Sequence, residues 1–152
     1  MNDEIKFDIG KLNKFAMALK KKYVSKVGIL TDTARKDGFG NVQLGAVHEF
    51  GSYSRNIPAR SFLRVPLMGH GKDIIKDCAD VALQAFVDGD PKKAYKVLGI
   101  AGEAVVQKAF ETSGDGKWPG LKPATIARKG SSMPLIDTGS LRRSVTSAVA
   151  TS

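Results

Sequence analysis

His48 and Glu49 open the stretch HEFGSYSRNIPARSFLR, residues 48 to 64, and a His-Glu pair is a first hint of metal chemistry. A zincin-type site needs HExxH, because two histidines one turn apart on a helix face the same metal. Position 52 is Ser52, so the spacing fails. The other histidine, His70, lies between Gly69 and Gly71. Two scattered histidines without an acidic cluster make a poor metal site, and neither a metal nor a cofactor is expected. His48 and Glu49 read instead as the polar side of a short helix that buries Val47 and Phe50.

Other motifs fall short in the same way. GHGKD (69 to 73) and GDGKW (114 to 118) contain Gly-Lys, but a phosphate-cradling loop needs GxxxxGK followed by Ser or Thr. Asp73 and Trp118 occupy that last position. DTG at 137 to 139 matches the aspartic-protease triplet, whose chemistry requires two aspartates sharing one site. Little chain follows it to build a cleft, so it reads as a turn or helix cap in which Asp137 or Thr138 bonds the backbone two residues on. No acidic pair suggests a glycosidase. Cys78 is the only cysteine and sits in an apolar periodic stretch, as a buried small side chain would. No catalysis is expected.

The chain has 152 residues and a net charge of +9, with 24 Lys and Arg against 15 Asp and Glu. That length supports one domain with a hydrophobic core. No run approaches the roughly 20 apolar residues of a membrane helix, so no membrane is expected. The acidic, non-apolar MNDEIKFDIG does not resemble a secretory signal, which points to assembly in a cytoplasm. Basic residues cluster at Lys20, Lys21, Lys22 and Lys26, at Arg55, Arg60 and Arg64, and after residue 116. Such a balance suits polyanions or acidic partners.

Periodicity predicts the elements that must hold these residues. Ile9, Leu12, Phe15, Ala16, Leu19 and Tyr23 form a helical stripe over 9–23, with Asp8 as N-cap. YVSKVGIL, 23 to 30, reads as a strand with Val27 and Ile29 on one face. TDTARKDGFGN, 31 to 41, is a polar mobile loop. A short helix over 41–50, capped by Asn41, ends at Gly51. A helix over 73–87 aligns Ile74, Cys78, Val81, Ala82 and Ala85. A second starts at Asp90-Pro91 and runs to about Thr112, with Ala94, Leu98, Ala101 and Val105 aligned. Gly99 and Gly102 in it permit close approach of another backbone. SGDGKWPGLKP, 113 to 123, is a second mobile loop, ATIARKG forms one or two helical turns, and residues 142 to 149 suit a final strand. The sum is a single α+β domain, a small mixed or antiparallel sheet flanked by several helices.

Within IPARSFLR, Pro58 fixes φ and pushes Ile57 towards an extended conformation. Phe62 and Leu63 should anchor the segment in the core. Arg60 has two open roles: an internal salt bridge that fixes the loop, or contact with a neighbouring subunit. Leu135, Ile136 and Leu141 look like packing. One reading of the charge is a basic nucleic-acid-binding module without sequence specificity. The aromatics argue against a stacking platform, since they sit mostly away from the Lys and Arg clusters. No helix-turn-helix, zinc-finger or RNP pattern is visible.

LGAVHEFGSYSRNIPARSFLRVPL (44 to 67), followed by WPGLKPATIARKG and PLIDTGSLRRSV (118 to 145), resembles the phage virion morphogenesis family. These are tail-completion and neck proteins of tailed bacteriophages, related to those of Mu-like and P2-like phages. The resemblance spans about Val27 to Val149, with the helical middle similar in character more than in residues. It implies a structural virion protein that forms a ring at the head–tail junction or the head-proximal tail end. Sixfold rings are the usual expectation for tail terminators, and some neck rings have twelve subunits. The partners it implies are further copies of the chain, other neck and tail-tube proteins, and genomic DNA passing through the channel without sequence readout. Under that resemblance, Arg55, Arg60, Arg64, Lys117, Arg128, Lys129, Arg142 and Arg143 are interface or channel candidates. Phe50, Gly51, Pro58, Phe62, Leu63, Trp118, Leu135, Asp137, Gly139 and Leu141 are the structural anchors.

Overall fold

The computed structural model describes residues 8–32, 38 and 40–152. The loop expected over 31–41 therefore lies largely outside the described residues. Among the described residues, six helices and one two-stranded antiparallel sheet make an α+β fold. In chain order these are α1 (Ile9–Lys20), β1 (Tyr23–Ile29), α2 (Asn41–Phe50), α3 (Arg64–Val87), α4 (Pro91–Glu111), α5 (Pro123–Lys129), α6 (Ser140–Ser144) and β2 (Val145–Thr151).

α4 is the central element, packed against α3 on one side and both strands on the other. Asp90 caps it by accepting from the Lys93 N–H at 3.2 Å, and Pro91 takes the first turn, where no N–H is needed. A Cβ on Gly99 would lie 3.2 Å from Ser147 Cβ, and one on Gly102 would lie 3.1 Å from Val27 Cγ2. The two glycines thus let the ribbon settle onto the helix, as expected. In the ribbon, Ser25 pairs with Val149, Val27 with Ser147 and Ile29 with Val145. Alternation puts this set on one face, towards α4.

The core is built from Phe62, Val106, Phe110, Leu141 and Val145, all buried. Phe62 and Phe110 stack tilted at 5.1 Å between ring centroids, and Trp118 meets Phe110 edge-on at 6.0 Å. Leu44, Leu63, Leu135 and Ile136 pack around them. The stretches 44–67 and 118–145, far apart in sequence, therefore share one core at the C-terminal end of α4.

Four expectations change. The final strand, expected over 142–149, runs over Val145–Thr151, because Ser140–Ser144 form the short helix α6. α1 stops at Lys20, because Tyr23 belongs to β1. Asp8 caps it as predicted, through the Lys11 N–H at 3.1 Å. Its apolar stripe is not buried: Ile9, Leu12 and Leu19 are exposed, and Ala18 is the residue that goes inside. α3 starts at Arg64, nine residues before the predicted 73, and most of its surface faces outward: Cys78 and Ala85 are its buried residues, while Val81 is exposed. α2 begins after Gly40, so Asn41 is not the cap but a buried first-turn residue, with its side chain bonded to Ser140 Oγ at 3.2 Å.

Truncating Phe110 to Ala should cost about 3–5 kcal/mol, since the ring is fully enclosed by other side chains. Ile100→Ala, on the exposed side of the same helix, should change stability by no more than about 0.5 kcal/mol. Chemical denaturation of the two variants checks the contrast.

Candidate functional site

Glu49 organises the 48–64 stretch, and its carboxylate is buried. Gly51 turns the chain out of α2 at φ 78°; a Cβ there would come within 2.9 Å of the Ala59 nitrogen, so glycine is required. Ser52 and Ile57 then exchange both backbone hydrogen bonds, at 2.8 and 2.9 Å, and close a small hairpin with Tyr53 to Asn56 at its tip. The hairpin folds the chain back along α2, and the Arg60 N–H donates to the His48 carbonyl at 2.7 Å.

The return places residues 61 to 64 over the Glu49 side chain. Oε2 accepts from the Phe62 and Leu63 N–H groups at 2.9 and 3.0 Å. Oε1 accepts from the Arg64 N–H at 3.1 Å and from the Ser61 hydroxyl at 2.5 Å. Ser61 Oγ in turn accepts from the Val65 N–H at 3.0 Å, and Pro66 has no N–H to satisfy. Every donor that a helix N-terminus leaves orphaned is thereby paired. A carboxylate at the positive end of a 24-residue helix is also favoured by the helix dipole. Arg64 Nε stands 4.0 Å from Oε1, with its side chain largely in solvent.

Arg60 is buried and turns the other way. Its Nε donates to the Pro119 carbonyl at 2.8 Å, and an Nη donates to the Gly120 carbonyl at 2.9 Å. The Trp118 indole N–H donates to the Ser61 carbonyl at 3.2 Å. The 113–123 stretch, expected to be mobile, is thus tied to the hairpin return by a guanidinium fork and an indole. Of the two roles left open for Arg60, the geometry shows internal bonding, to carbonyls and not to a carboxylate.

His48 sits beside this fork. Its Nδ1 is buried and has no hydrogen-bond partner among the described residues. Burial first, then the positive charges of Arg60 and Lys129, lower its pKa from 6.5 to about 4. The imidazole is therefore neutral near pH 7. Lys129 donates to the Met133 carbonyl, and its pKa is lowered chiefly by burial, with Asp137 acting in the opposite sense.

The remaining candidates separate into two sets. Arg142 is used inside the subunit: Nε donates to Gln107 Oε1 at 2.7 Å, and an Nη meets Glu111 Oε1 at 2.5 Å, locking α6 to α4. Arg55, Arg64, Lys117, Arg128 and Arg143 are exposed. Among the anchors, Phe62 and Leu141 are buried, while Leu63, Trp118 and Leu135 are half-buried. Leu135 adopts φ 61° and Gly139 φ 73°. Pro58 and Asp137 lie at the surface. The Ser140 N–H donates to Thr138 Oγ1 at 3.3 Å, so DTG makes the turn and not a helix cap; Gly139, with no capping side chain, precedes α6. Phe50 is a correction: it is 71% exposed, because Glu49 takes the inward side of α2.

The histidine that sequence reasoning set aside stands in a richer setting than expected. His70 Nδ1 lies 3.8 Å from Asp73 Oδ2, and its Nε2 lies 4.0 Å from Asp115 Oδ2. His70, Asp73 and Asp77 line one side of a cavity of about 740 Å³ between α3 and α4. Their i, i+3, i+7 spacing was a usable signal, but the helix was expected to begin only at 73. No group of three metal-ligating side chains is placed to hold an ion among the described residues.

Replacing Glu49 with Ala should cost about 3 kcal/mol or more, because it strands one buried and two half-buried N–H donors. Glu49→Gln should recover part of that, since one amide oxygen still accepts. Urea unfolding monitored by circular dichroism reads both. His48 gives a second expectation. Its folded pKa is depressed, so its contribution is fully present above about pH 6.5 and is lost as pH falls towards 4. The loss by pH 4 should amount to about 3 kcal/mol. His48→Gln should flatten the stability profile in that window, as a denaturation series from pH 4 to 7 would show.

No family model matches the chain, and no curated protein or solved structure matches it either.

Proposed function

We propose that the chain is a non-catalytic structural subunit of a tailed-phage virion, assembling into a ring at the head–tail junction or the head-proximal tail end. The observation that carries this reading is the amount of large apolar side chain facing outward. Val65, Met68, Ile75 and Leu83 recur along one side of α3, and Phe50 and Tyr53 project from α2 and the hairpin. A subunit that works alone seldom leaves so much apolar surface in water, and a subunit built to be covered by neighbours does. Glu49, which with His48 looked like chemistry, supports a non-catalytic role, since its carboxylate is spent on internal bonds; Arg60 and Arg142 are bonded within the subunit too, which leaves the exposed Arg and Lys side chains as the interface or channel candidates. A closed ring needs two different patches per subunit, which an uneven surface of this kind can supply.

The net charge of +9 keeps a second reading in play, a basic module that binds nucleic acid through phosphates alone. Negative-stain microscopy and sedimentation of the purified chain distinguish the two. Ring-shaped particles with a central channel are expected, together with weak duplex binding. A monomer at every concentration that binds short duplexes tightly, with affinity falling steeply with salt, would overturn the assembly reading.

A further inference from the structure

The β1–β2 ribbon has two outer edges, and they differ. The Ser152 N–H donates to the Lys22 carbonyl at 3.1 Å, so these two form a hydrogen-bonded pair. Such pairs alternate along an antiparallel ladder, and the register then turns the N–H and C=O groups of Ser147, Val149 and Thr151 outward from β2. Among the described residues, none of these three N–H groups has a backbone partner beyond the ribbon. β1 carries Lys26 and follows Lys20, Lys21 and Lys22. VTSAVATS, 145 to 152, has no charge and no proline, and its pairing runs without a bulge. Edge strands are normally guarded by one of those devices, and β2 lacks them all.

The side of α4 above that edge is complementary to itself. Gly102 lies over Val27 of β1, and Gly99 over Ser147 of β2. Glu103 and Gln107 come next, bordering Val145 and Thr146 around a cavity of about 750 Å³. Helical spacing puts Lys96 and Ile100 on the same side, beyond the edge of β2. Ile100 is 53% exposed. The side chains of Lys96 and Glu103 make no ion pair or hydrogen bond among the described residues. The order along this side is cation, apolar group, anion, and turned end for end it matches itself.

We infer that β2 pairs antiparallel with β2 of a second copy, about a two-fold axis at Ala148. Ser147 and Val149 of each copy exchange hydrogen bonds with Val149 and Ser147 of the other, which makes a four-stranded sheet. Neighbouring two-stranded ribbons in such a sheet lie about 10 Å apart between centres, a spacing at which two helices pack. The two α4 helices then run antiparallel. Ile100 meets Ile100 of the second copy, and Lys96 faces Glu103 on either side of it. The cavity beside Val145 and Thr146 takes the end of the other copy's strand. The contact is isologous and stops at two copies. It goes beyond the ring reading, because neighbours within one ring share no two-fold contact, and it uses none of the α3, Phe50 or Tyr53 surface assigned above.

Disulfide trapping of the full chain tests it. Ala148 meets Ala148 of the second copy in a non-hydrogen-bonded pair, where Cα atoms are about 4.5 Å apart and a disulfide fits. Ala148 and Thr146 are both exposed, and Cys78 is buried. Oxidised Ala148→Cys should run as a linked dimer, and nothing larger, on a non-reducing gel. Thr146→Cys, which the register sets opposite Ala150 and not opposite itself, should stay unlinked. Lys96→Glu should weaken pairing at least about tenfold in sedimentation, and adding Glu103→Lys should restore it. Equal linking of the two cysteine variants, or a double reversal that recovers no pairing, overturns the contact. Rings from the wild-type chain with no linked pair from Ala148→Cys overturn it too and leave the assembly reading standing. Linked pairs from a chain that forms no rings support the contact and count against that reading.

Discussion

The fold hangs on one carboxylate placed at the start of one long helix. α3 begins immediately after an irregular turn, with no capping side chain at the residue before it. Without help, its first N–H groups would be buried or half-buried and unpaired, each at a cost of about 1–3 kcal/mol. Glu49 supplies the acceptors from a different helix, and Ser61 completes the set. That single arrangement fixes the angle between α2 and α3. It also fixes the depth of Phe62, whose backbone N–H is one of the donors.

From Phe62 the constraint spreads through packing and hydrogen bonds. The ring meets Phe110, Phe110 meets Trp118, and the Trp118 indole returns a hydrogen bond to Ser61. Arg60, one residue before Ser61, reaches across to hold Pro119 and Gly120. The loop after α4 is therefore clamped by both neighbours of the helix start. His48 accepts a neutral state as the consequence: it is enclosed beside a guanidinium that cannot give up its charge. The same clamp sets the position of Trp118 at the wall of the α3–α4 cleft.

Much of the organisation was legible in the residues themselves. Asp8 and Asp90-Pro91 announced two helix starts, and the alternation of Val27, Ile29, Val145 and Val149 announced which strand faces would be buried. Gly99 and Gly102 announced a close approach. The failures over burial share one cause. Periodicity reports that a face is apolar, not that anything covers it. The α1 stripe at Ile9, Leu12 and Leu19 and the ring of Phe50 satisfy the pattern and still face solvent. In a subunit that is completed by neighbours, such surface is what a single chain would leave open.

By itself, the sequence determined most of the elements, the single α+β domain, and the absence of any HExxH or phosphate-loop spacing. Local rules suffice for these, because caps, breakers and periodicity act within a few residues. Only the tertiary structure decided what Glu49, Arg60 and Arg142 do. Their partners lie 12 to 15, about 60 and 31 to 35 residues away in sequence. A buried charge takes whichever donors or acceptors the fold brings to it, and no spacing rule encodes that choice. The cleft that gathers His70, Asp73, Asp77 and Asp115 is of the same kind, since it exists only once α3 and α4 lie side by side.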